Sequence, residues 1–323
     1  MSQPLVEVRN LRRSFGAIEA VRGLDFDIEP GQTVGFIGAN GAGKTTAMRI
    51  MATLDAPDSG SVRIGGYDTL NHPREVRQLI GWMPDAYGTY SDTTVLEYLD
   101  FYARAYGFGA AQRRQRVDAV MEFANLGPLA DRAMNQLSKG MAQRLCLGRT
   151  LLHDPRLLIL DEPAAGLDPK ARIEFKQLVR RLAGEGKTFF ISSHILSELG
   201  EICDSLLFID QGRIVHHGSA DHLLNPASRE AVVEVRLLEA PGALIQWIAA
   251  RPGVTLVETI PCGARLRLEA GGPEALSALL RALIRDGFGV CEFRREGRKL
   301  EDAFVEMLAG GSSSTEPPAP PVL

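Results

Sequence analysis

The sequence predicts an α/β fold built on a central parallel β-sheet and followed by a small α+β domain. A glycine-rich segment at residues 38–46 stands between the apolar run 34–37 and a helix-like stretch from Ala47 to Leu54. Two more apolar runs, 157–160 and 188–193, have the composition of strands buried on both faces of a sheet. After residue 231, short strand and helix patterns alternate in the order βαββαβ, which is the ferredoxin-like arrangement.

Length and charge narrow the class of protein. With 323 residues the chain is long enough for two folded domains. Its net charge of −4 argues against a nucleic-acid partner, because a protein that binds nucleic acid needs a surplus of Lys and Arg to neutralise the phosphate charges. The N-terminus has no basic segment followed by an apolar core, and no apolar run approaches the ~20 residues of a spanning helix. We therefore expect a protein that is neither exported nor inserted into a membrane.

The four cysteines show no paired CxxC spacing. We expect them to be buried or free thiols in a reducing cytosol rather than metal ligands or disulfides. They are Cys146, Cys203, Cys262 and Cys291.

The glycine-rich segment predicts a phosphate-binding P-loop. Its glycines let successive backbone N–H groups point at the β- and γ-phosphates of a nucleotide, and the positive end of the following helix adds to that field. Lys44 supplies a charge to the same phosphates and Thr45 a hydroxyl ligand for Mg²⁺. A glycine turn that matches by chance is disfavoured by the strand before it and the helix after it. The predicted contacts are Gly38, Asn40, Gly41, Ala42, Gly43, Lys44, Thr45 and Thr46.

Two strands are predicted upstream of this loop. Residues 5–9 and 24–29 alternate apolar and polar side chains, which is typical of strands with one buried face. We expect an antiparallel pair that flanks the core sheet. Phe15 lies between these strands, just before a glycine. Its ring could stack on adenine or pack in the core, and the sequence alone leaves both alternatives open.

The middle of the chain predicts a helical insert, at about residues 86–155. A buried strand at 79–83 ends at Pro84 and Asp85, and helical patterns follow at 93–106 and 111–125. We interpret the aromatic stripe on the first of these helices as packing rather than as a ligand cage. The stripe consists of Tyr98, Phe101, Tyr102 and Tyr106.

The two apolar runs end in side chains that can do chemistry. Asp161 and Glu162 follow the run 157–160, and His194 follows the run 188–193. Both runs predict central parallel strands, whose carboxyl ends meet at one edge of the sheet. A closing hairpin is expected at 205–215.

We expect three parts along the chain: a nucleotide-binding domain at 1–225, a ferredoxin-like accessory domain at 226–309, and a disordered tail rich in Ser and Pro at 310–323. The accessory domain has no cluster of acids, bases or metal ligands in its sequence, so its default role is packing or contact with a partner.

The ordered set of motifs in residues 5–220 resembles the ATP-binding subunit of ATP-binding cassette (ABC) transporters. The P-loop comes first, and residues 137–141, LSKGM, stand where that family has its LSGGQ signature. Residues 157–162 resemble its Walker B strand, residues 165–168 its D-loop, and His194 its switch histidine. Together these motifs are highly specific, because a chance P-loop would not be followed by four further elements in family order.

The resemblance implies a role for each strand-end residue. Asp161 would hold Mg²⁺ opposite Thr45, Glu162 would polarise the attacking water, and His194 would reach the γ-phosphate. A surface turn or an ordinary histidine is the alternative for each residue taken singly. Convergence of several strand ends on one phosphate site favours the catalytic interpretation.

The resemblance also implies a site shared between two chains. Ser138 is a suitable N-cap for a helix at 139–152, and in the family that helix points its positive end at ATP bound by a second subunit. Ser138 and Gly140 would therefore contact ATP on a second copy or on a homologous subunit.

Three positions depart from the family pattern. Asp85 replaces a glutamine but could still reach Mg²⁺ or water, Lys139 replaces a glycine, and Met141 replaces a glutamine.

The function that the resemblance implies is hydrolysis of Mg-ATP in a head-to-tail dimer that drives a separate integral membrane permease. Residues 90–98 of the insert and residues 300–304 are similar to the subfamily that serves export permeases for drugs, polysaccharides or other hydrophobic cargo. The resemblance implies a position at the cytoplasmic face of the membrane. One alternative is a soluble ABC ATPase that acts as a clamp in translation, DNA maintenance or cofactor assembly. Another is a regulatory module without turnover. Two cassettes in tandem would favour the clamp, and this sequence has one. Loss of Lys44, Asp161 or Glu162 would favour the regulatory module, and all three residues are present.

Overall fold

The computed structural model describes residues 3–86, 88, 90, 92–195, 199–200, 202–219, 231–269 and 271–295. The chain divides near residue 220 into two compact units. We call residues 3–219 unit one and residues 231–295 unit two. The predicted boundary at residue 226, the predicted last helix at 300–308 and the predicted tail at 310–323 lie outside the described residues.

Unit one alternates strands and helices as the sequence predicts. Its elements are β1 (Val6–Phe15), β2 (Ile18–Ile28), β3 (Thr33–Ile37), α1 (Lys44–Met51), β4 (Ser59–Ile64), β5 (Tyr67–Asp68), α2 (Pro73–Leu79), β6 (Ile80–Met83), α3 (Val95–Ala105), α4 (Ala110–Phe123), α5 (Lys139–Leu151), β7 (Leu157–Leu160), α6 (Pro169–Gly184), β8 (Thr188–Ser193), β9 (Ser205–Asp210) and β10 (Arg213–Ser219).

The core sheet has the strand order β10-β9-β3-β8-β7-β6. Strands β9, β3, β8, β7 and β6 are parallel, and β10 pairs antiparallel with β9. Every residue of β3, β7 and β8 is buried, as expected for strands covered on both faces. The polar side chains that follow β7 and β8 therefore emerge at the same edge of the sheet as the P-loop that follows β3.

An antiparallel sheet with the order β2-β1-β4-β5 packs against the core sheet. Three phenylalanines join the two layers: Phe26 of β2 stacks on Phe190 of β8 at 5.5 Å between ring centroids, and Phe190 stacks on Phe36 of β3 at 5.0 Å. Offset aromatic stacks of this kind stabilise a core beyond the apolar area they bury. The predicted antiparallel pair is thus present, and both strands extend further towards the hairpin that joins them than the sequence pattern indicates.

The insert has its own apolar cluster between α3, α4 and α5. Helix α3 begins with a capping box, in which Thr94 Oγ accepts from Glu97 N–H and the Glu97 carboxylate accepts from Thr94 N–H. Tyr98 is buried in this cluster, whereas Phe101 is 60% exposed. The packing interpretation of the aromatic stripe is therefore wrong for Phe101, because this residue lies on the outer side of a helix that is covered on one side only.

Arg149 of α5 ties the insert to the core sheet. Its guanidinium donates to the Tyr98 hydroxyl at 3.2 Å and to the backbone carbonyl of Trp82 in β6 at 3.0 Å. Because β6 leads directly to Asp85, this contact links the position of the insert to one edge of the site described below.

Unit two is a four-stranded antiparallel sheet with two helices. Its elements are β11 (Ala231–Leu237), α7 (Gly242–Ala249), β12 (Val254–Ile260), β13 (Gly263–Leu268), α8 (Pro273–Arg285) and β14 (Val290–Arg295), with the strand order β12-β13-β11-β14. Apolar side chains of the helices and of the inner strands form one core. This is the predicted βαββαβ order.

Two helices of unit one are absent from the sequence prediction. Helix α2, PREVRQL, is short and buries only Val76, so it carries almost no apolar periodicity. Helix α6 is long, and its start is marked by Asp168, whose carboxylate accepts from Ala171 N–H, and by Pro169 at the first helical position.

Two further expectations can be compared with the structure. Cys146 and Cys203 are buried free thiols, and Cys262 and Cys291 are exposed free thiols. Among the helices in the described ranges, none combines the length and the apolar character needed to cross a membrane.

Candidate functional site

The P-loop lies between β3 and α1, where two glycines bring it against neighbouring backbone. A Cβ on Gly38 would overlap the carbonyl oxygen of Ile209 in β9, and a Cβ on Gly43 would overlap that of Ala20 in β2. Gly43 also has φ of 106° and forms the N-cap of α1. These positions require glycine both for close approach and, at Gly43, for a left-handed backbone. The loop is therefore held as a tight cradle at the helix N-terminus, the geometry that binds phosphate.

Lys44 is folded back over this cradle. Its side chain is only 5% exposed, and its ammonium donates to the carbonyl oxygens of Gly38 at 2.7 Å and Ala39 at 3.3 Å. Its Nζ also lies 3.3 Å from Glu162 Oε1. The Lys44 ammonium is therefore buried among carbonyl and carboxylate oxygens. When a nucleotide binds, its phosphate oxygens would replace some of these oxygens as acceptors.

Asp161 lies at the end of β7 and is 1% exposed. It accepts a hydrogen bond from Ser192 Oγ at 2.7 Å and another from the Thr45 hydroxyl. Burial raises the pKa of Asp161 above its ordinary value, and the negative charges of Glu162 and Asp85 add to this rise. Three carboxylates and the Thr45 hydroxyl thus lie close enough to act on one another at this edge of the sheet.

This donor set fits Mg²⁺. Carboxylate and hydroxyl oxygens are hard ligands, and Mg²⁺ usually binds one or two carboxylates together with substrate phosphates rather than a cage made of protein alone. Within the described residues no group of three or more His, Cys, Asp or Glu side chains forms such a cage. Asp161 and Thr45 would hold the ion, and Asp85 lies close enough for its charge to act on Asp161.

Glu162 lies between the side chains of Lys44 and His194. Its Oε2 lies 2.8 Å from His194 Nδ1, and its Oε1 is buried beside Lys44 without a hydrogen bond of good geometry. Its backbone has φ of 47°, a left-handed conformation that costs a non-glycine residue about 1–3 kcal/mol. Such a strained conformation persists only where the surrounding contacts hold the residue in place, which is common at functional sites. The carboxylate is therefore held beside the phosphate cradle with one oxygen available to a further partner.

Ser192 is a site residue that the sequence prediction missed. It is fully buried in β8, donates to Asp161 Oδ1 and accepts from Glu162 N–H at 2.7 Å. The available signal was weak: a polar residue at the end of an apolar run, two positions before His194. The structure thus brings together side chains from four segments of the chain: Lys44, Thr45, Asp85, Asp161, Glu162, Ser192 and His194.

Ser138 and Gly140 lie elsewhere, at the start of α5 in the insert. Ser138 is exposed and caps the helix, accepting from Met141 N–H at 3.3 Å. A Cβ on Gly140 would come within 2.7 Å of the Ala171 side chain, so glycine lets α5 approach α6. No hydrogen bond or ion pair in the described part of the chain joins either residue to Lys44, Asp161 or Glu162. Their nucleotide contacts remain a prediction.

Phe15 is 48% exposed, so the core alternative for this residue is wrong. It ends β1 and pairs with Ile18 at the tip of the β1–β2 hairpin. Two residues further along β2, Ala20 contacts Gly43. The tip therefore stands beside the P-loop, and stacking of Phe15 on adenine remains a prediction.

Comparisons with known proteins show which family the chain belongs to. The ABC transporter family model matches residues 21–165. The chain is 36% identical over 309 residues to the Nod factor export ATP-binding protein I of Ralstonia nicotianae, covering 95% of this chain and 94% of that protein. It is 32% identical over 321 residues to the probable multidrug ABC transporter ATP-binding protein YbhF of Escherichia coli, covering 98% of this chain and 54% of YbhF.

Solved structures give the same result. A structure of an ATP-binding subunit of an ABC transporter superposes with a TM-score of 0.62 at 30% identity, over 68% of this chain and 91% of that one. The cbiO1 protein of Clostridium perfringens, part of an ABC transporter complex, superposes with a TM-score of 0.63 at 25% identity, over 70% of this chain and 92% of that one.

The chain belongs to the ABC transporter family, as an ATP-binding subunit that hydrolyses ATP. The predicted P-loop core with an antiparallel sheet and a helical insert is thereby confirmed.

Proposed function

We propose that this chain hydrolyses Mg-ATP in a head-to-tail dimer with a second copy or a homologous ATP-binding subunit, and that closure of the dimer drives a separate integral membrane permease. The observation that carries the proposal is the Glu162 carboxylate, which lies between Lys44 and His194 and next to buried Asp161. It supports the proposal because a carboxylate in this position can act as a base on a water molecule beside bound phosphate.

Each side chain has a distinct part in the reaction. Lys44 and the P-loop amides bind and orient the phosphates, and Mg²⁺ at Asp161 and Thr45 would supply neutralisation of phosphate charge. Glu162 orients a water molecule and takes its proton. His194 contacts the Glu162 carboxylate at 2.8 Å through Nδ1. With ATP bound, we assign its ring to a hydrogen bond with the γ-phosphate. Ser192 bonds to both Asp161 and Glu162 and so fixes their position relative to each other.

The site is completed by a second chain in this proposal. Helix α5 begins directly after Ser138. The first N–H groups of a helix have no acceptor within the helix and lie at the positive end of its dipole, a combination that favours an anion. The P-loop of the same chain already has Lys44 and α1 for its phosphates. We therefore assign Ser138 and Gly140 to the γ-phosphate of ATP held by the partner, so that hydrolysis requires two chains.

The permease and the direction of transport are assigned from relatives. Nod factor export and multidrug transport are the activities in the names of the proteins compared above. We propose an exporter, with this chain bound peripherally to the permease at the cytoplasmic face of the membrane. No part of the proposal requires a nucleic acid.

Replacement of Glu162 by Gln tests the chemistry. The substitution keeps the size of the side chain and removes the base, so hydrolysis should fall by about 10²- to 10⁴-fold while ATP still binds. With Mg-ATP, but not with Mg-ADP, the variant should accumulate as a dimer on size-exclusion chromatography. The matched control is Glu75→Gln, at an exposed position in the first turn of α2. Hydrolysis near the wild-type rate in Glu162→Gln would contradict the assignment of Glu162 as the base.

A further inference from the structure

The tip of the β1–β2 hairpin has an unusual surface. Phe15 and Ile18 pair with each other there and are 48% and 71% exposed. Contact between Ala20 and Gly43 places this tip beside the N-terminus of α1. Two large apolar side chains exposed next to a phosphate cradle suit the flat, apolar face of a nucleotide base.

The Phe15 ring is supported by a guanidinium. Arg13 Cζ lies 4.7 Å from the centroid of the ring, within the range of a cation–π contact. The Arg13 side chain is 23% exposed. The guanidinium and the exposed fraction of the ring together indicate that one face of Phe15 is covered and the other is open.

Two carboxylates hold the orientation of this guanidinium. Arg13 Nη1 lies 2.8 Å from Asp58 Oδ1, and Arg13 Nη2 lies 3.0 Å from Asp55 Oδ1. Because the guanidinium is planar and each of its two amino groups has its own acceptor, rotation about the end of the side chain is restricted. A lysine at this position could not make the same fork.

Asp58 also ties the strand itself to the loop that precedes β4. Its Oδ2 accepts from Ser14 N–H at 2.6 Å, and its own N–H donates to the carbonyl oxygen of Arg12 at 2.9 Å. The Ser14 N–H and then the Arg13 guanidinium lower the pKa of Asp58 below its ordinary value, so this carboxylate is ionised near neutral pH. The backbone on both sides of Arg13 is thus fastened immediately before Phe15.

We propose that Arg13 is a positioning residue for nucleotide binding: with Asp55 and Asp58 it holds the Phe15 ring so that the free face of the ring receives adenine. The inference rests on the proposed function, since it requires a nucleotide in the P-loop. Arg13 does not touch the base. It acts by ordering the ring before the base arrives, so that less side-chain freedom is lost on binding.

The test compares two probes on the full chain. ADP has a base to stack, whereas inorganic pyrophosphate occupies the phosphate cradle alone. Arg13→Leu should weaken ADP binding by about 3- to 10-fold and leave pyrophosphate binding unchanged, because an ordered side chain contributes this much to affinity. Arg13→Lys, which keeps the charge and is less disruptive, should give a smaller loss in the same direction. The matched control is Arg12→Leu, since Arg12 lies on the same strand and pairs with Glu19 instead.

A double variant separates positioning from a general structural effect. On a Phe15→Ala background, Arg13→Leu should cause no further loss of ADP affinity, because the ring on which it acts is gone. The proposal is overturned if Arg13→Leu behaves like Arg12→Leu, if it weakens both probes equally, or if its effect on ADP persists without Phe15. Failure of the proposed function looks different: Lys44→Ala would then leave the affinity for both probes unchanged.

Discussion

At the residue scale, one serine joins the metal ligand to the base. The Ser192 hydroxyl donates a hydrogen bond to Asp161 and accepts one from the backbone N–H of Glu162, and it has no exposed surface. Loss of such a group leaves a buried N–H without a partner, at a cost of about 1–3 kcal/mol. The two neighbouring acids therefore depend on a residue from the adjacent strand for their relative position.

The buried Asp161 carboxylate opposes folding in the absence of metal. Burial raises its folded pKa above the value of about 3.9 for the unfolded chain, so the folded state binds the proton more tightly. Stability then falls as pH rises through the interval between these two pKa values. This pH dependence is the opposite of that of a salt-bridged aspartate.

Asp161→Asn should therefore separate stability from activity. Without nucleotide and Mg²⁺, the variant should be more stable than the wild type at neutral pH, and the difference should shrink towards about pH 4. ATP hydrolysis should fall by about 100-fold or more, because a Mg²⁺ ligand is lost. Denaturant unfolding across this pH range and a phosphate-release assay measure the two effects.

The control for this prediction is Asp118→Asn, at an exposed position on α4. It should change neither the pH dependence of unfolding nor the hydrolysis rate. A loss of stability at neutral pH in Asp161→Asn would mean that the ionised carboxylate is stabilised by its hydrogen bonds more than burial opposes it.

At the element scale, the start of α5 serves two purposes. Ser138 satisfies a backbone N–H of the first turn, and Gly140 allows α5 to pack against α6 at Ala171. Both residues thus have a structural reason within one chain, in addition to the proposed contact with ATP on a partner. A test of the shared site must therefore separate the loss of the structural role from the loss of the contact with ATP.

Ser138→Arg makes that distinction. Loss of the N-cap should cost about 1 kcal/mol of stability. ATP affinity of the monomer should stay almost unchanged, because Lys44 and the P-loop of the same chain are intact. Turnover should fall by about 100-fold or more, since a bulky cation would replace a hydrogen-bonding group at the partner's phosphates. Unfolding, equilibrium ATP binding and phosphate release give the three readouts.

Thr94→Ala is the matched control, because it removes the N-cap of α3 at a similar cost in stability. It should retain turnover. Full ATPase activity in a Ser138→Arg protein that stays monomeric at all concentrations would count against a site made by two chains.

At the scale of the whole molecule, all of the proposed site residues belong to unit one. Unit two contributes a separate apolar core and an ion-pair network on its sheet, in which Glu234 binds Arg236 at 2.7 Å and Arg294 at 3.1 Å. We propose that unit two is an accessory domain for packing or partner contact.

A chain that ends at residue 225 should therefore still fold and bind ATP with nearly unchanged affinity. Circular dichroism and equilibrium ATP binding check these outcomes, with the full chain as the reference. A truncated chain that unfolds cooperatively but has lost ATP binding would show that the nucleotide site has been placed wrongly. The domain boundary at residue 226 is itself a prediction that this experiment examines.

The sequence by itself determined the fold class and located most of the residues of the proposed site. The P-loop is a contiguous segment whose glycines and lysine act together locally, and the apolar runs before Asp161 and His194 place both residues at strand ends. The patterns also located the parallel strands of the core and the βαββαβ order of unit two. Each of these inferences depends on residues that are neighbours in the chain or follow one periodicity.

The tertiary structure alone decided the contacts between distant segments. Ser192 meets Asp161 and Glu162 because β8 pairs in register with β7, and Arg13 meets Asp55 and Asp58 because β1 pairs with β4. The exposure of Phe15 and Phe101 likewise depends on which neighbours cover each element. Such contacts are set by strand register and by packing between layers, and a single sequence carries no local signal for either.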